Sequence, residues 1–143
     1  MKHVGEVLSL TISTTETRSP MEKHTIFVDT KGIVGDKHYN KDPERSILLT
    51  SIDSYLLAKN HSIQIPDHAL GENLLIDYNP YKLSPGTRLQ IGSAILEISQ
   101  PCTLCKHLSC IDSKLPKLLK HDRGIFAKVI QKGEIKTGDS IAL

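Results

Sequence analysis

Short apolar runs broken by turn formers dominate this chain, and most of them alternate at period two. In the segment Glu6 to Ile12 the residues Leu8, Leu10 and Ile12 fall on one face, which predicts a strand. Thr25-Ile26-Phe27-Val28 predicts a second, ending at Lys31-Gly32, and Ser46 to Thr50 reads as a short buried strand. Asn73 to Asp77 is another. The clearest hairpin runs from Thr87 to Ser99: Leu89 and Ile91 alternate, Gly92-Ser93 fits a two-residue turn, and Leu96 and Ile98 alternate on the return. Ile125 to Ile130 predicts a further strand, and Glu134 to Ala142 closes the chain around Thr137-Gly138-Asp139.

Between these lie two helical signals and two polar stretches. Ser51 is a good cap, Asp53 suits the positive end of a helix, and Ile52, Tyr55, Leu56 and Lys59 follow at helical spacing, so a helix is expected over 52–60. A second short helix is expected near 113–121, with Pro116 tolerated in its first turn. Ser13 to Lys23, with Pro20, reads as a loop or hairpin tip. Residues 35–45 read as a long polar loop, the kind of segment on which a rigid scaffold carries chemistry. Leu83 to Leu89 and Ile135 to Ile141 echo each other weakly, as two strands entering a sheet through similar turns. The fold class is therefore mainly β, a small closed β-barrel with one or two short helices.

Length changes this picture little: 143 residues suit one domain, taken as residues 1–143. A mean hydropathy of −0.20 is that of a soluble protein. A net charge of +2, without a basic run and with only four Tyr and two Phe, argues against nucleic acid as a partner. No apolar stretch approaches the roughly 20 residues of a membrane span, and Glu6 interrupts the first one, so neither membrane nor secretion signal is read. Cys102, Cys105 and Cys110 are odd in number and crowded together, which suits reduced thiols in a cytoplasm.

The chemistry concentrates at Ser99-Gln100-Pro101-Cys102-Thr103-Leu104-Cys105-Lys106-His107-Leu108, just after the hairpin. A thiolate there is a soft metal ligand or a sulfur carrier, and Lys106 and His107 would lower the thiol's pKa. A buried Cys is equally well explained as a small apolar side chain. Zinc needs a second pair of ligands, and only His121 follows; haem attachment needs Cys-x-x-Cys-His, which Lys106 interrupts. Asp36 and His38 lie on the polar loop, where His38 could bind or move a proton or simply be solvated. Lys31 and Arg45 are candidate phosphate holders, Arg45 with its bidentate fork, though an isolated cation is more often a surface charge. Gly32 and Gly35 suit backbone geometry, and Gly71-Glu72-Asn73 suits a turn as well as a site.

Taken in order, these pieces resemble the MOSC domain, the C-terminal module of molybdenum cofactor sulfurases. Gly32-Ile33-Val34-Gly35-Asp36-Lys37-His38 is similar to the family's Gly-Ile-x-Gly-Asp-x-His loop, and Arg45-Ser46-Ile47-Leu48-Leu49 to its Arg-Gln-Val-Ser-Leu-Leu strand. Gly71-Glu72-Asn73-Leu74 is similar to its Gly-Glu-Asn-Leu turn, and Leu83 to Cys105 to the hairpin leading into the family cysteine. The tail from Gly124 through Asp139 resembles that of small stand-alone members.

The resemblance implies a MOSC-like barrel that binds molybdenum cofactor (molybdopterin) or carries sulfur for metal–sulfur chemistry. Cys105 would be the metal or sulfur ligand, Asp36 and His38 would serve the chemistry, and Arg45, Lys31, Glu72 and Asn73 would hold the cofactor. Cys102 stands where many relatives carry Arg or Gly. Reduction of N-oxygenated compounds would need electrons from a partner, since the chain shows no flavin or iron–sulfur motif, and no pyridoxal phosphate is expected. A non-catalytic module delivering cofactor or sulfur to a partner molybdoenzyme fits the same residues, and a structural zinc protein is a third reading. The sequence leaves substrate, electron donor and oligomeric state open.

Overall fold

Eleven strands carry the described chain in the computed structural model, which describes residues 1–14, 16, 19–103 and 108–143. They are β1 (His3–Ser13), β2 (Pro20–Lys23), β3 (Thr25–Asp29), β4 (Gly32–Ile33), β5 (Ile47–Ser51), β6 (Leu74–Ile76), β7 (Arg88–Ile91), β8 (Ala94–Pro101), β9 (Ile125–Gln131), β10 (Gly133–Lys136) and β11 (Ser140–Ala142). Three short helices accompany them: α1 (Ile52–Asn60), α2 (Leu108–Ile111) and α3 (Leu115–Leu118).

Seven strands close into a barrel in the order β1–β11–β7–β8–β9–β5–β6, with β6 returning to β1. Pairing is antiparallel throughout except between β5 and β6. Closure leaves these strands without a free edge and turns one residue in two inward. Ile47, Leu49, Leu74, Leu96 and Ile98 thereby pack in one core, which the small sheet β10–β3–β4 extends with Ile135, Ile26, Val28 and Ile33. A second core lies outside the barrel, where Ala58 of α1 meets Ile63, Ile65, Leu70, Leu108, Leu115 and Leu119.

The hairpin forms as expected, with Leu89 opposite Leu96 and Ile91 opposite Ala94. Helix α1 also forms over the expected residues, and the Ser51 hydroxyl accepts a hydrogen bond from the Asp53 amide at 3.0 Å. The echoing segments bring β7 and β11 side by side, Ile91 opposite Ile141.

Two expectations need correction. Leu8 does not share a face with Leu10 and Ile12: it is exposed, while Val7 is buried. Between Val7 and Ser9 the first strand advances two residues while β6 advances one, so a bulge at Leu8 inverts the alternation. The closing segment turns at Thr137-Gly138-Asp139 as expected, with β10 before the turn pairing with β3 and β11 after it pairing with β1 and β7. Pro20–Lys23 is a strand on β1, not part of a loop, and α2 is a helix that no periodicity announced.

Candidate functional site on the outer face of the barrel

Leu48 sits between the inward-facing Ile47 and Leu49 and so turns out of the barrel, where it packs with Phe126 and Cys102. The buried amide of Asn73 holds this position. Its Oδ1 accepts from the Leu48 amide at 3.0 Å, and its Nδ2 donates to the Thr11 carbonyl at 3.1 Å. Asn73 thus stitches β5 to β1 just before β6 begins, bonding the main chain of two other strands.

Two residues beyond Thr11, the loop carrying Asp36 docks on the end of β1. The Asp36 carboxylate accepts from the Ser13 amide at 2.9 Å and from the His38 amide at 3.2 Å, and His38 Nδ1 lies 3.4 Å from Oδ2. Burial pushes the Asp36 carboxyl up, but His38 and the two amides more than offset it and hold it below the usual carboxylate range. The loop needs glycine at both ends of the motif: Gly32 has φ +124° and Gly35 φ +91°, and a Cβ on Gly32 would stand 3.2 Å from that of Ser46.

Arg45 follows from a 3-10 turn over Pro43–Arg45, and its guanidinium lies over the Phe126 ring, 5.7 Å from the centroid. The ring is in turn packed with Leu48 and Cys102. Cys102 is buried, and its amide donates to the Gly124 carbonyl at 3.0 Å. Asn73 bonds the Leu48 main chain, Leu48 packs with Phe126 and Cys102, and Arg45 lies over Phe126, so these residues form one group on the outer side of β5 and β9. Cys105, the principal candidate, lies outside the described residues, as do its neighbours Lys106 and His107. Cys110 is exposed on α2.

Two candidates lie apart from this group. Lys31 sits on the turn between β3 and β4, where its amide donates to Asp29 Oδ1 at 2.8 Å. Glu72 carries its buried side chain to α1, where the Tyr55 hydroxyl lies 2.6 Å from Oε1 and 3.0 Å from Oε2. Burial raises the Glu72 carboxyl despite that hydrogen bond and the nearby charges of His68 and Arg123.

Sequence reasoning missed Arg123. Only 6% exposed, it donates from Nη2 to the Leu70 carbonyl at 3.3 Å, while Nε and Nη1 have no partner. Its neighbour Gly124 packs so closely on β5 that a Cβ would stand 2.9 Å from Leu48 Cδ1. No local signal in Lys120-His121-Asp122-Arg123 marks one cation as buried among exposed ones. Among the described residues, no three His, Cys, Asp or Glu side chains gather to hold a metal, and no helix is long and apolar enough to cross a membrane.

The fold has close counterparts among solved structures. YuaD from Bacillus subtilis superposes with a TM-score of 0.79 at 21% identity, over 96% of this chain and 93% of that one. YiiM from Geobacillus stearothermophilus gives 0.74 at 18% identity, covering 98% and 75%, and YiiM from Escherichia coli gives 0.69 at 19%, covering 96% and 69%. No curated protein matches the chain. The MOSC domain family model matches residues 35–142, from the loop after Gly32-Ile33 to the last strand, and by that match the chain belongs to the MOSC domain family.

Proposed function

We propose that this chain binds molybdenum cofactor on the outer face of β5, β6 and β9, with the Cys105 thiolate as the protein ligand to the metal. The observation that carries the reading is Arg123, a buried guanidinium with two nitrogens that lack hydrogen-bond partners, next to the Gly124 that packs on β5. Buried guanidinium N–H groups without acceptors are costly even with the Glu72 charge nearby, and an oxyanion is their natural complement. The residues fit the group: a thiolate suits molybdenum, and two guanidinium forks, Arg45 and Arg123, suit a pterin phosphate.

When bound, the cofactor would supply two-electron chemistry such as reduction of N-oxygenated compounds, with electrons delivered by a partner protein. This chain's own residues would bind and orient. Arg45, steadied on Phe126, and Arg123 would hold the phosphate. Asp36 engages His38 at Nδ1 and so leaves Nε2 as the nitrogen that holds or moves a proton. Asn73 keeps Leu48 and the face behind it in place, and Lys31 and Glu72 are not asked to touch the cofactor. A reducing cytoplasm, which keeps the three thiols free, is the compartment this reading requires.

A second reading, sulfur carriage or delivery to a molybdoenzyme, is favoured by three thiols within nine residues, Cys102 to Cys110. Elemental analysis for molybdenum, tungsten and zinc separates the readings, run on protein from a host that makes the cofactor beside its Cys105→Ser variant. Near-stoichiometric molybdenum lost in the variant supports cofactor binding. Stoichiometric zinc in its place would mean a structural metal. No metal in either protein overturns the cofactor reading, and persulfide detection on Cys105 with a pull-down of molybdoenzymes then tests delivery.

A further inference from the structure

Between α1 and the outer side of β1 and β6 lies a cavity of about 340 Å³, separate from the face that holds Arg45 and Cys102. Its walls are mostly apolar, from α1, residues 63–65 and β6, and six ionisable groups converge on it: Glu22, Tyr55, Lys59, Asp67, His68 and Glu72. Pockets of this size, apolar with a few placed polar groups, are the usual form of a small-molecule site. Three carboxylates line the cavity beside Lys59 and His68, with the buried Arg123 near Glu72.

Glu72 is the most buried of these groups, at 2% exposure. Its two oxygens accept from the Tyr55 hydroxyl and from its own backbone amide, which leaves positions open, since a carboxylate has about four. His68 stands beside it with a left-handed backbone, φ +66°, unusual for a residue with a side chain. The ring is pinned at both nitrogens, Nδ1 to Thr11 Oγ1 at 3.1 Å and Nε2 3.7 Å from Glu22 Oε1. A sparsely populated conformation held at a cavity wall is characteristic of ligand sites.

We propose that this cavity binds a small planar organic cation, an amidine or protonated amine on an aromatic ring, with Glu72 as its anchor. The ring lies against the apolar wall. The cationic N–H groups donate to the Glu72 carboxylate, and Glu22 and Asp67 at the rim reinforce the preference for positive charge. The inference stands on the cavity alone and does not rest on cofactor binding by Cys105.

The test uses benzamidinium chloride and, as its anionic counterpart of the same shape, sodium benzoate, each titrated into the full chain and followed by amide NMR shifts. Saturable shifts confined to Tyr55, His68, Glu72 and their neighbours with benzamidinium, and none with benzoate, are expected. Glu72→Gln should weaken benzamidinium binding about tenfold or more, the worth of one charge-assisted hydrogen bond. Tyr55→Phe, which clears the carboxylate and keeps its charge, should bind at least as tightly as the parent. Equal or stronger shifts with benzoate, or no saturable shift with benzamidinium, overturns the proposal. Both readouts come from the unsubstituted protein and hold even if Glu72→Gln does not fold.

Discussion

The guanidinium of Arg45 rests on the ring of Phe126, joining a turn before β5 to the start of β9 at 5.7 Å. Because Phe126 is buried against Leu48 and Cys102 while Arg45 is exposed, the ring fixes where the charge is held. A double-mutant cycle of Arg45→Met and Phe126→Leu, read by chemical denaturation, should show a coupling of about 0.5–1 kcal/mol, the range of an exposed cation–π contact. A coupling near zero would mean that the two side chains are merely neighbours.

Asn73 should be the most sensitive polar position in the barrel. Asn73→Ala leaves the Leu48 amide and the Thr11 carbonyl without their side-chain partners in a buried setting. Each orphaned group costs about 1–3 kcal/mol, so a loss of about 3 kcal/mol is expected in urea denaturation. Asn73→Asp keeps the acceptor but loses the donor and buries a charge against the Thr11 carbonyl, and should cost at least as much.

Asp36 gives the fold a dependence on acid. Its carboxyl is held below its ordinary value in the folded chain, so its contribution is complete above the unfolded pKa of about 3.9 and is lost as pH falls through the lower folded value. Asp36→Asn should cost about 1 kcal/mol at neutral pH, a modest figure because His38 is half-exposed and screened. The difference from the parent should close as pH falls below about 4, followed as stability against pH.

Glu72 runs the opposite way. Burial raises its carboxyl, so the ionised form opposes folding once pH rises above the unfolded value of about 4.3, and the opposition is complete above the folded value. Glu72→Gln keeps an acceptor for the Tyr55 hydroxyl and removes the charge. It should therefore stabilise the chain by about 1 kcal/mol at neutral pH, with the gain vanishing in acid. Thermal denaturation at pH 7.5 and pH 3.5 measures both ends.

How much of this was legible in advance differs from element to element. Helix α1 and the β7–β8 hairpin were readable because their signals are local: Ser51 caps its own helix, and Gly92-Ser93 turns its own strands. The glycine loop with Asp36 and His38, and its place in the family, were readable from residue types at short spacing. Leu8 was not, because a bulge is decided by the partner strand, and alternation along β1 alone cannot count the residues of β6. Nor was the separation of β10 from β11, which differ only in which distant strands they meet.

The candidate site shows the same division. The sequence by itself determined which residues are candidates for chemistry: a thiol run after a hairpin, an acid and a histidine on a loop, an arginine before a strand. Only the tertiary structure decided their company. Closing the barrel turned Leu48 and Phe126 outward to meet Cys102 and Arg45, sent Glu72 to α1 and Asn73 to β1 and β5, and buried Arg123 with two of its nitrogens unpartnered. Residue type and spacing set what a side chain can do, but burial and partners come from contacts between segments far apart in the chain, which local patterns do not encode.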